Sequence, residues 1–366
     1  MRSFSLIVPC YNVGNYIGVF LQSVFENEYE KYELILVNDG STDETEHIIE
    51  EFFSKDVRGG VSQFRYKNAS VIYVYQNNNG VSAARNTGLK YVHNEYIVFA
   101  DPDDTISQIY FETLNDVLSE GEEDILIFGF QKIKVNSDGK IVEKKDRLPR
   151  NLYNCKSKAE IVDRYLPNIL GYSKEHLAKS KKNGCLNPDF EWGAIWRCCY
   201  RSEMVLSNGI RFNTDISLNE DSVFNFWCCV YAEHLRCCNA ILYNYYMRET
   251  GALDQLKKTV AFSNKIRMTE ERCNVISSLQ KQGYDITEEA VYGSCILSVI
   301  ELMIKSRPLN IARMKSYISL PIVKNSIINT PRTGKLLYDI LFIGLKMGLW
   351  KPMYLVLNIL GKYIHI

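Results

Sequence analysis

Asp101, Asp103 and Asp104 crowd the end of the apolar run "YIVFA", interrupted only by Pro102. Carboxylates this close raise one another's pKa unless a cation sits among them. Oxygen-only ligands suit a hard divalent ion, Mg2+ or Mn2+, which takes one or two carboxylates and completes its shell with substrate phosphates. Pro102 restrains the backbone between Asp101 and Asp103 and so their relative orientation. The competing reading is a helix cap, with Asp103 or Asp104 capping a helix from about Thr105. A cap accounts for one acid, a metal site for the group.

Other groups suit the same chemistry. There is no G-x-x-x-x-G-K-[ST], and no G-x-G-x-x-G follows the first apolar run. P-loop and dinucleotide-binding chemistry are thereby set aside. Phosphates would instead meet the metal and cations such as Arg85 in "SAARNTG". A nucleotide base could pack under Tyr11 and pair with Asp39. Taken alone, Arg85 and Asp39 serve equally well as an ion pair and a turn cap. Glu220 and Asp221 suit the first turn of a helix capped by Asn219.

These residues need a scaffold that brings them together. "FSLIVP", "YELILVN", "ASVIYVYQ" and "EYIVFA" read as buried strands, and the segments between them carry helical spacing, including Tyr16, Val19, Phe20, Ser23 and Val24 in the first. Near-continuous apolar strands alternating with helices imply a mostly parallel α/β sheet covered on both faces. Ligands of such sheets sit beyond the carboxyl ends of the strands. Pro9 to Asn12, Asn38 to Gly40 and Asp101 to Asp104 should therefore meet at one edge. Further on, "KIKVNSDGKIVEK" predicts a hairpin turning at Asn136 to Gly139, and Ser173 to Gly184 suits a mobile loop. The chain after Gly251 reads as helical.

Composition narrows the class. Lys plus Arg and Asp plus Glu both number 43, with no long basic block, so a nucleic-acid partner is not expected. Eleven Cys occur, three pairs of them adjacent and none spaced C-x-x-C. With no signal-peptide pattern at the start, this implies free thiols in a reducing, cytoplasmic setting. In "CCVYAEHLRCC" the helical periodicity favours buried thiols over zinc. The segment from Gly334 is apolar but interrupted by Asp339, Lys346 and Lys351. It suits either packed helices, on this chain or another copy, or an interfacial anchor with Trp350 at headgroup level.

"SLIVPCYNVGNYI", "LILVNDGSTDET", "NNNGVSAARNTGL" and "YIVFADPDD" together resemble the inverting glycosyltransferases of family 2, in order and spacing. The likeness is close over about the first 110 residues and looser to about 251. It implies a GT-A fold: a catalytic domain over 1–250, with a nucleotide-binding half (1–110) and an acceptor-side half (111–250), then a helical region over 251–366. It further implies that Pro9, Tyr11 and Asn12 line the nucleoside pocket, that Asp39 meets the uracil, and that Arg85 lies near the base and diphosphate. Asp101 would face the ribose or metal-bound water, Asp103 would ligate Mn2+ or Mg2+, and Asp104 would touch the donor sugar.

"FEWGAIWRCCYRSEMVLSNGIRFNTDISLNEDSVFNF" resembles the family's acceptor-side block. By that likeness Trp192 and Trp196 lie on the acceptor side and Asp221 is the catalytic base, beside Glu220. Where relatives often read Trp-x-Lys, this chain has Trp196-Arg197-Cys198, so a lysine role there is lost or moved to Arg197. Arg248, in "LYNYYMRETGAL", is the candidate cation against the phosphates. The implied protein moves a sugar from a nucleotide-diphosphate donor, most often a UDP-sugar, to a glycan or lipid-linked acceptor in surface-polysaccharide assembly. The C-terminal helices would contact the inner face of the plasma membrane or form a homo-oligomer. The alternatives are a nucleotidyltransferase and a non-catalytic glycan-binding protein.

Overall fold

The computed structural model describes residues 1–57, 60–171, 193–248, 262–305, 311–329, 340, 343–349, 352 and 355. The chain divides into two compact units, Met1–Ile161 with Gly193–Gln255, and Val162–Trp192 with Leu256–Ile366. The first unit is built on a sheet whose described strands run β3-β4-β2-β1-β5-β10-β7-β11-β6, with β8 added to β7 and β9 to β11. These are β1 (Phe4–Cys10), β2 (Tyr32–Asn38), β3 (Val61–Tyr66), β4 (Ala69–Tyr75), β5 (Tyr96–Phe99), β6 (Thr105–Ile106), β7 (Ile125–Val135), β8 (Ile141–Arg147), β9 (Asn154–Cys155), β10 (Cys198–Arg201) and β11 (Leu235–Arg248).

β4, β2, β1 and β5 run parallel, as do β7 and β11, while β10 is wedged antiparallel between β5 and β7. β1 and β2 are buried at every position because helices cover both faces. This is the mostly parallel α/β sheet expected. Its described edges are closed by antiparallel strands that the sequence did not reveal: β3, β6 and β9.

Four helices carry the connections between early strands: α1 (Gly14–Phe25), α2 (Thr45–Phe53), α3 (Val81–Gly88) and α4 (Tyr110–Ser119). α1 buries Ile17, Phe20, Leu21, Val24 and Phe25. The expected stripe is thus rotated: Val19 is exposed, because a helix lying on a sheet buries residues three and four apart from Ile17. α3 lies so close to β1 that a Cβ at Gly88 would stand 2.4 Å from Ile7 Cγ2. Only glycine permits that approach, and it fixes how deeply α3 sits.

The hairpin of β7 and β8 turns where expected, with the Gly139 N–H donating to the Asn136 carbonyl. The "CCVYAEHLRCC" segment is helical only as far as Tyr231, in the helix Glu220–Tyr231; Cys237 and Cys238 lie on β11. The described cysteines are all free thiols, and all but the partly buried Cys273 are buried.

The second unit contains the helices Phe262–Lys281, Glu289–Lys305, Ile311–Ile318 and Pro321–Asn329. Arg272 donates through Nε to the Leu170 carbonyl at 2.7 Å, which also accepts from the Ser294 hydroxyl at 3.0 Å. The segment from Val162 thus clusters with these helices, although it falls inside the range expected for the catalytic domain. Among the described residues no helix is long and apolar enough to cross a membrane. The loop expected at 173–184 and most of the tail from Gly334 lie outside the described residues.

Candidate active site

Parallel register aligns the carboxyl ends of the central strands. Cys10 pairs with Asn38, Asn38 with Tyr75, and Ile7 with Phe99. Pro9 to Asn12, Asp39 and Asp101 therefore emerge at one edge. Pro9 is buried within β1, while Tyr11 is 48% exposed there. Asn12 adopts a left-handed φ of 51°, and its side-chain carbonyl accepts from the Thr42 N–H at 2.8 Å. That bond joins the turns after β1 and β2.

Asp39 is buried, and its carboxylate accepts three bonds from the loop before α3: Gln76 Nε2 at 2.6 Å, Asn79 N at 3.0 Å and Gly80 N at 2.8 Å. Here Asp39 shapes the loop that leads into α3. The lone-pair capacity left for a base is small.

α3 brings Arg85 to the centre of the site. Its guanidinium reaches Asp101 at 2.9 Å with Nη2 and Glu220 at 2.8 Å with Nη1, and lies over the Phe212 ring at 5.4 Å. Burial works against its charge, but Asp101, Glu220 and Asp221 outweigh that and raise its pKa. The neighbouring Asn86 exchanges two bonds with the Phe212 backbone, at 2.9 and 2.8 Å. Phe212 stacks on Phe224 of the Glu220–Tyr231 helix at 4.3 Å. Two consecutive residues of α3 thus bind the "NGIRF" turn and the Glu-Asp pair to the edge where β5 ends. Sequence spacing gave no reason to expect either the Asn86 clamp or the Phe212 platform.

Asp221 stands in the first turn of that helix, and Ser222 N–H donates to its Oδ1 at 2.7 Å. Desolvation and the adjacent Glu220 push its carboxyl up to about 7, against the pull of Arg85. Asn219 precedes the helix with a left-handed φ of 64° and makes no side-chain cap bond, while Glu220 and Asp221 do occupy the first turn, so the capped-helix reading holds for the acids and not for the cap.

The acids after β5 part company. The helix-cap reading falls for them too, because Thr105–Ile106 is a strand and α4 begins only at Tyr110. Asp101 turns to Arg85. Asp103, whose side chain is 46% exposed, meets Arg248 Nη1 at 3.3 Å, and Arg248 Nη2 donates to its carbonyl at 2.7 Å. Desolvation and Asp101 push the Asp103 carboxyl up to about 6, although Arg248 pulls it down. Arg248 itself lies over the rings of Tyr16, at 4.2 Å, and Tyr246, at 5.1 Å.

Asp104 points inward instead. It is buried, accepts from the Tyr243 hydroxyl at 2.9 Å and the Tyr246 N–H at 2.7 Å, and has its pKa raised well above the ordinary range by burial and its acidic neighbours. The sugar contact expected of it gives way to a structural bond between the end of β5 and β11. Tyr243 completes that bond by accepting from the Asp101 N–H at 3.0 Å.

Trp196 is also displaced from its expected role. It is buried, stacked on Tyr243 at 4.7 Å and Tyr245 at 5.4 Å, and forms core rather than an acceptor-facing surface. Arg197 is buried too, with Nε donating to the Phe128 carbonyl at 3.0 Å, so it does not replace a lysine at the site. Trp192 lies outside the described residues. The Tyr-rich stretch "LYNYYMR" was the signal that could have revealed Tyr243 and Tyr246, through their strand alternation.

The sheet order and its acidic edge define the class, a GT-A-type α/β unit. Staphylococcus aureus TarS 1–349 in complex with UDP-GlcNAc shares this fold, with a TM-score of 0.58 at 17% identity, covering 96% of this chain and 89% of that one. Residues 5–176 match the family model described as glycosyl transferase family 2. Glycosyltransferase GlyA of Streptococcus pneumoniae is 41% identical over 123 residues, 34% of this chain and 16% of GlyA. The uncharacterized glycosyltransferase EpsJ of Bacillus subtilis is 30% identical over 241 residues, 66% of this chain and 60% of EpsJ. Residues 5–176, just under half of the chain, are thus similar to glycosyl transferase family 2. It spans less than two thirds of either curated relative.

Proposed function

We propose that the protein is a metal-dependent inverting glycosyltransferase of cell-surface glycan assembly. It takes a sugar from a nucleotide-diphosphate donor, a UDP-sugar by analogy with the TarS complex, and passes it to a glycan or lipid-linked acceptor on the cytoplasmic side of the membrane. One observation carries this reading: the Arg85 guanidinium joins Asp101, from the DxD segment, to Glu220 beside Asp221. One leaving-group acid and the immediate neighbour of the candidate base thereby share one cation.

The acids fit a hard divalent ion. Asp103 is half-exposed at the edge and raised by Asp101, which is the condition a cation relieves. Asp101 and Asp103 would hold Mn2+ or Mg2+; the described residues contain no cluster of three or more His, Cys, Asp or Glu suited to a metal, so donor phosphates would complete the shell. When bound, the ion supplies charge stabilisation to the departing diphosphate. Arg248, lying over two tyrosine rings, adds a second cation on that side. Tyr11 offers an exposed ring to the base, and Asp39 acts by setting the loop before α3.

Asp221 takes the acceptor proton. Its Oδ1 is occupied by Ser222 N–H, which leaves Oδ2 for the hydroxyl that attacks the anomeric carbon. A carboxyl raised to about 7 is matched to that task, since a base works best with a pKa near the working pH. One base on the acceptor side and a leaving group on the other give inversion. The test is incubation with UDP-, GDP- and dTDP-sugars, with and without Mn2+. Free nucleoside diphosphate, released only with metal, is expected; metal-independent turnover or pyrophosphate as product would overturn the proposal.

A further inference from the structure

β8 is exposed at all seven of its positions, whereas its partner β7 is buried at Ile133 and Val135. A strand bare on both faces projects beyond the layers that cover the rest of the sheet. Residues 131–150 carry seven Lys and Arg against three Asp and Glu, in a chain of zero net charge. Register gathers most of the excess on one face: Lys132 lies opposite Lys145, Lys134 opposite Glu143, and Arg147 opposite Phe130. Like charges directly opposite destabilise a ribbon. Among the described residues none of Lys132, Lys134, Lys144, Lys145 and Arg147 makes an ion pair. Near its turn the ribbon exposes Ile141 by 50%, opposite Val135 and so on the other face from Lys132 and Lys134, and Val142 by 55%.

Lysines on an open edge strand also prevent edge-to-edge pairing. That role covers Lys144 and Lys145. It does not cover Lys132 and Lys134, one strand further in, or the bare aliphatic side chains. A soluble polyanion would use the cations and leave the aliphatics wet. An anionic lipid surface met by the turn end of the ribbon uses both, with headgroup phosphates for the cations and the acyl boundary for the aliphatics.

We infer that the β7–β8 ribbon docks this protein on an anionic membrane surface. Val135 of β7 pairs with Arg248 at the edge of the candidate site, so docking holds that site close to a lipid-borne acceptor. The inference does not rest on the transferase reading, because vesicle binding needs no donor.

Flotation of the full chain tests it, with vesicles of phosphatidylcholine alone and of phosphatidylcholine with equal phosphatidylglycerol. Flotation only with the anionic vesicles, weakening as salt rises, is the expected result. Each cation near such a surface is worth about fivefold in partition. The Lys132→Gln, Lys134→Gln, Lys145→Gln triple variant should therefore lose on the order of a hundredfold, while still releasing nucleoside diphosphate as the parent does. Ile141→Ser with Val142→Ser keeps every charge and should also float less well. Undiminished flotation of either variant would overturn the assignment and place the contact elsewhere in the chain. Binding of soluble polyphosphate without flotation would overturn it in favour of a polyanion, and concentration-dependent dimerisation without flotation in favour of a second copy.

Discussion

Two acids at one end of the sheet and three at the other are surrounded in opposite ways. Where the strands begin, Glu33 on β2 accepts from the Ser5 hydroxyl, the His93 N–H at 2.8 Å and the His93 ring at 3.1 Å. Asp124, just before β7, accepts from Arg201 Nε at 3.1 Å and from the Glu233 and His234 N–H groups at 2.8 and 3.0 Å. Each of these acids is surrounded by donors. Where the strands end, Asp101, Asp103 and Asp221 face other acids, and one arginine is shared by Asp101 and Glu220. Acids surrounded by donors hold the fold together. Acids crowded by acids cost stability, and a fold keeps such a cost where a ligand or a proton will relieve it.

The largest effect should follow from exchanging acid for amide at the two ends. Asp221→Asn removes a proton acceptor, and general-base groups are worth roughly 10²–10⁴ in rate. Sugar transfer should fall by that range while donor binding persists. The variant should melt no lower than the parent: a carboxyl whose folded pKa is raised loses free energy on folding at every pH above its unfolded value. Glu33→Gln should do the reverse, keeping transfer per folded molecule but losing about 2 kcal/mol of stability, because charged acceptors of buried donors contribute on that scale. Transfer rates set beside thermal melts for the pair decide the matter; equal melting losses in both would erase the distinction between the two ends.

Arg85→Met should affect both quantities at once. It strands Asp101 and Glu220 in a partly buried setting without their shared cation, at a cost of about 3 kcal/mol after allowance for the exposure of Asp101. Transfer should fall with it, since Asp221 then loses the charge that holds its pKa down. A variant that melts like the parent would show that the pairing seen here is not maintained in solution.

The pH profile gives a smaller, tenfold-per-unit effect. A base must be deprotonated to act, and the Asp221 carboxyl stands at about 7. The transfer rate at low acceptor concentration should rise tenfold per pH unit below about 7 and level off above it. Arg85→Met should move that shoulder to higher pH, because removing a nearby cation disfavours the charged form. A profile flat from pH 5 to 8 would remove Asp221 from the role of base.

Much of the acidic edge was legible in advance, because parallel strands carry whatever follows them to a common side. What the sequence hid was direction. α1 was visible as a helix, yet Val19 is exposed and Ile17 buried, since the sheet beneath chooses the face. Trp196 read as a ligand contact, but stacks on Tyr243 and Tyr245, from a strand some fifty residues later. β3 escaped notice because an edge strand such as "VSQFRY" is only half apolar and its exposed positions, Val61, Gln63 and Arg65, are mixed in type. Asp39 and Asp104 share one cause: each read as a donor contact and is claimed by groups at least 37 positions away.

Asp104 therefore offers the finest test of the contrast between the two ends, because it stands among the crowded acids yet is built in like the satisfied ones. Burial and its neighbours raise its pKa well above the ordinary range, so folding favours its protonated form. An amide is nearly isosteric with a protonated carboxyl: its carbonyl can still accept from the Tyr246 N–H, and its NH2 can turn to the Tyr243 oxygen. Asp104→Asn should thus change stability by less than about 1 kcal/mol, within the range of a single rearranged hydrogen bond, and leave transfer within a few-fold of the parent. Asp103→Asn, one residue earlier, should abolish the response of transfer to Mn2+. Measured side by side, the two amides separate a site role from a structural one across a single peptide bond. A loss of transfer in Asp104→Asn as deep as in Asp103→Asn, with the fold intact, would return Asp104 to the donor sugar.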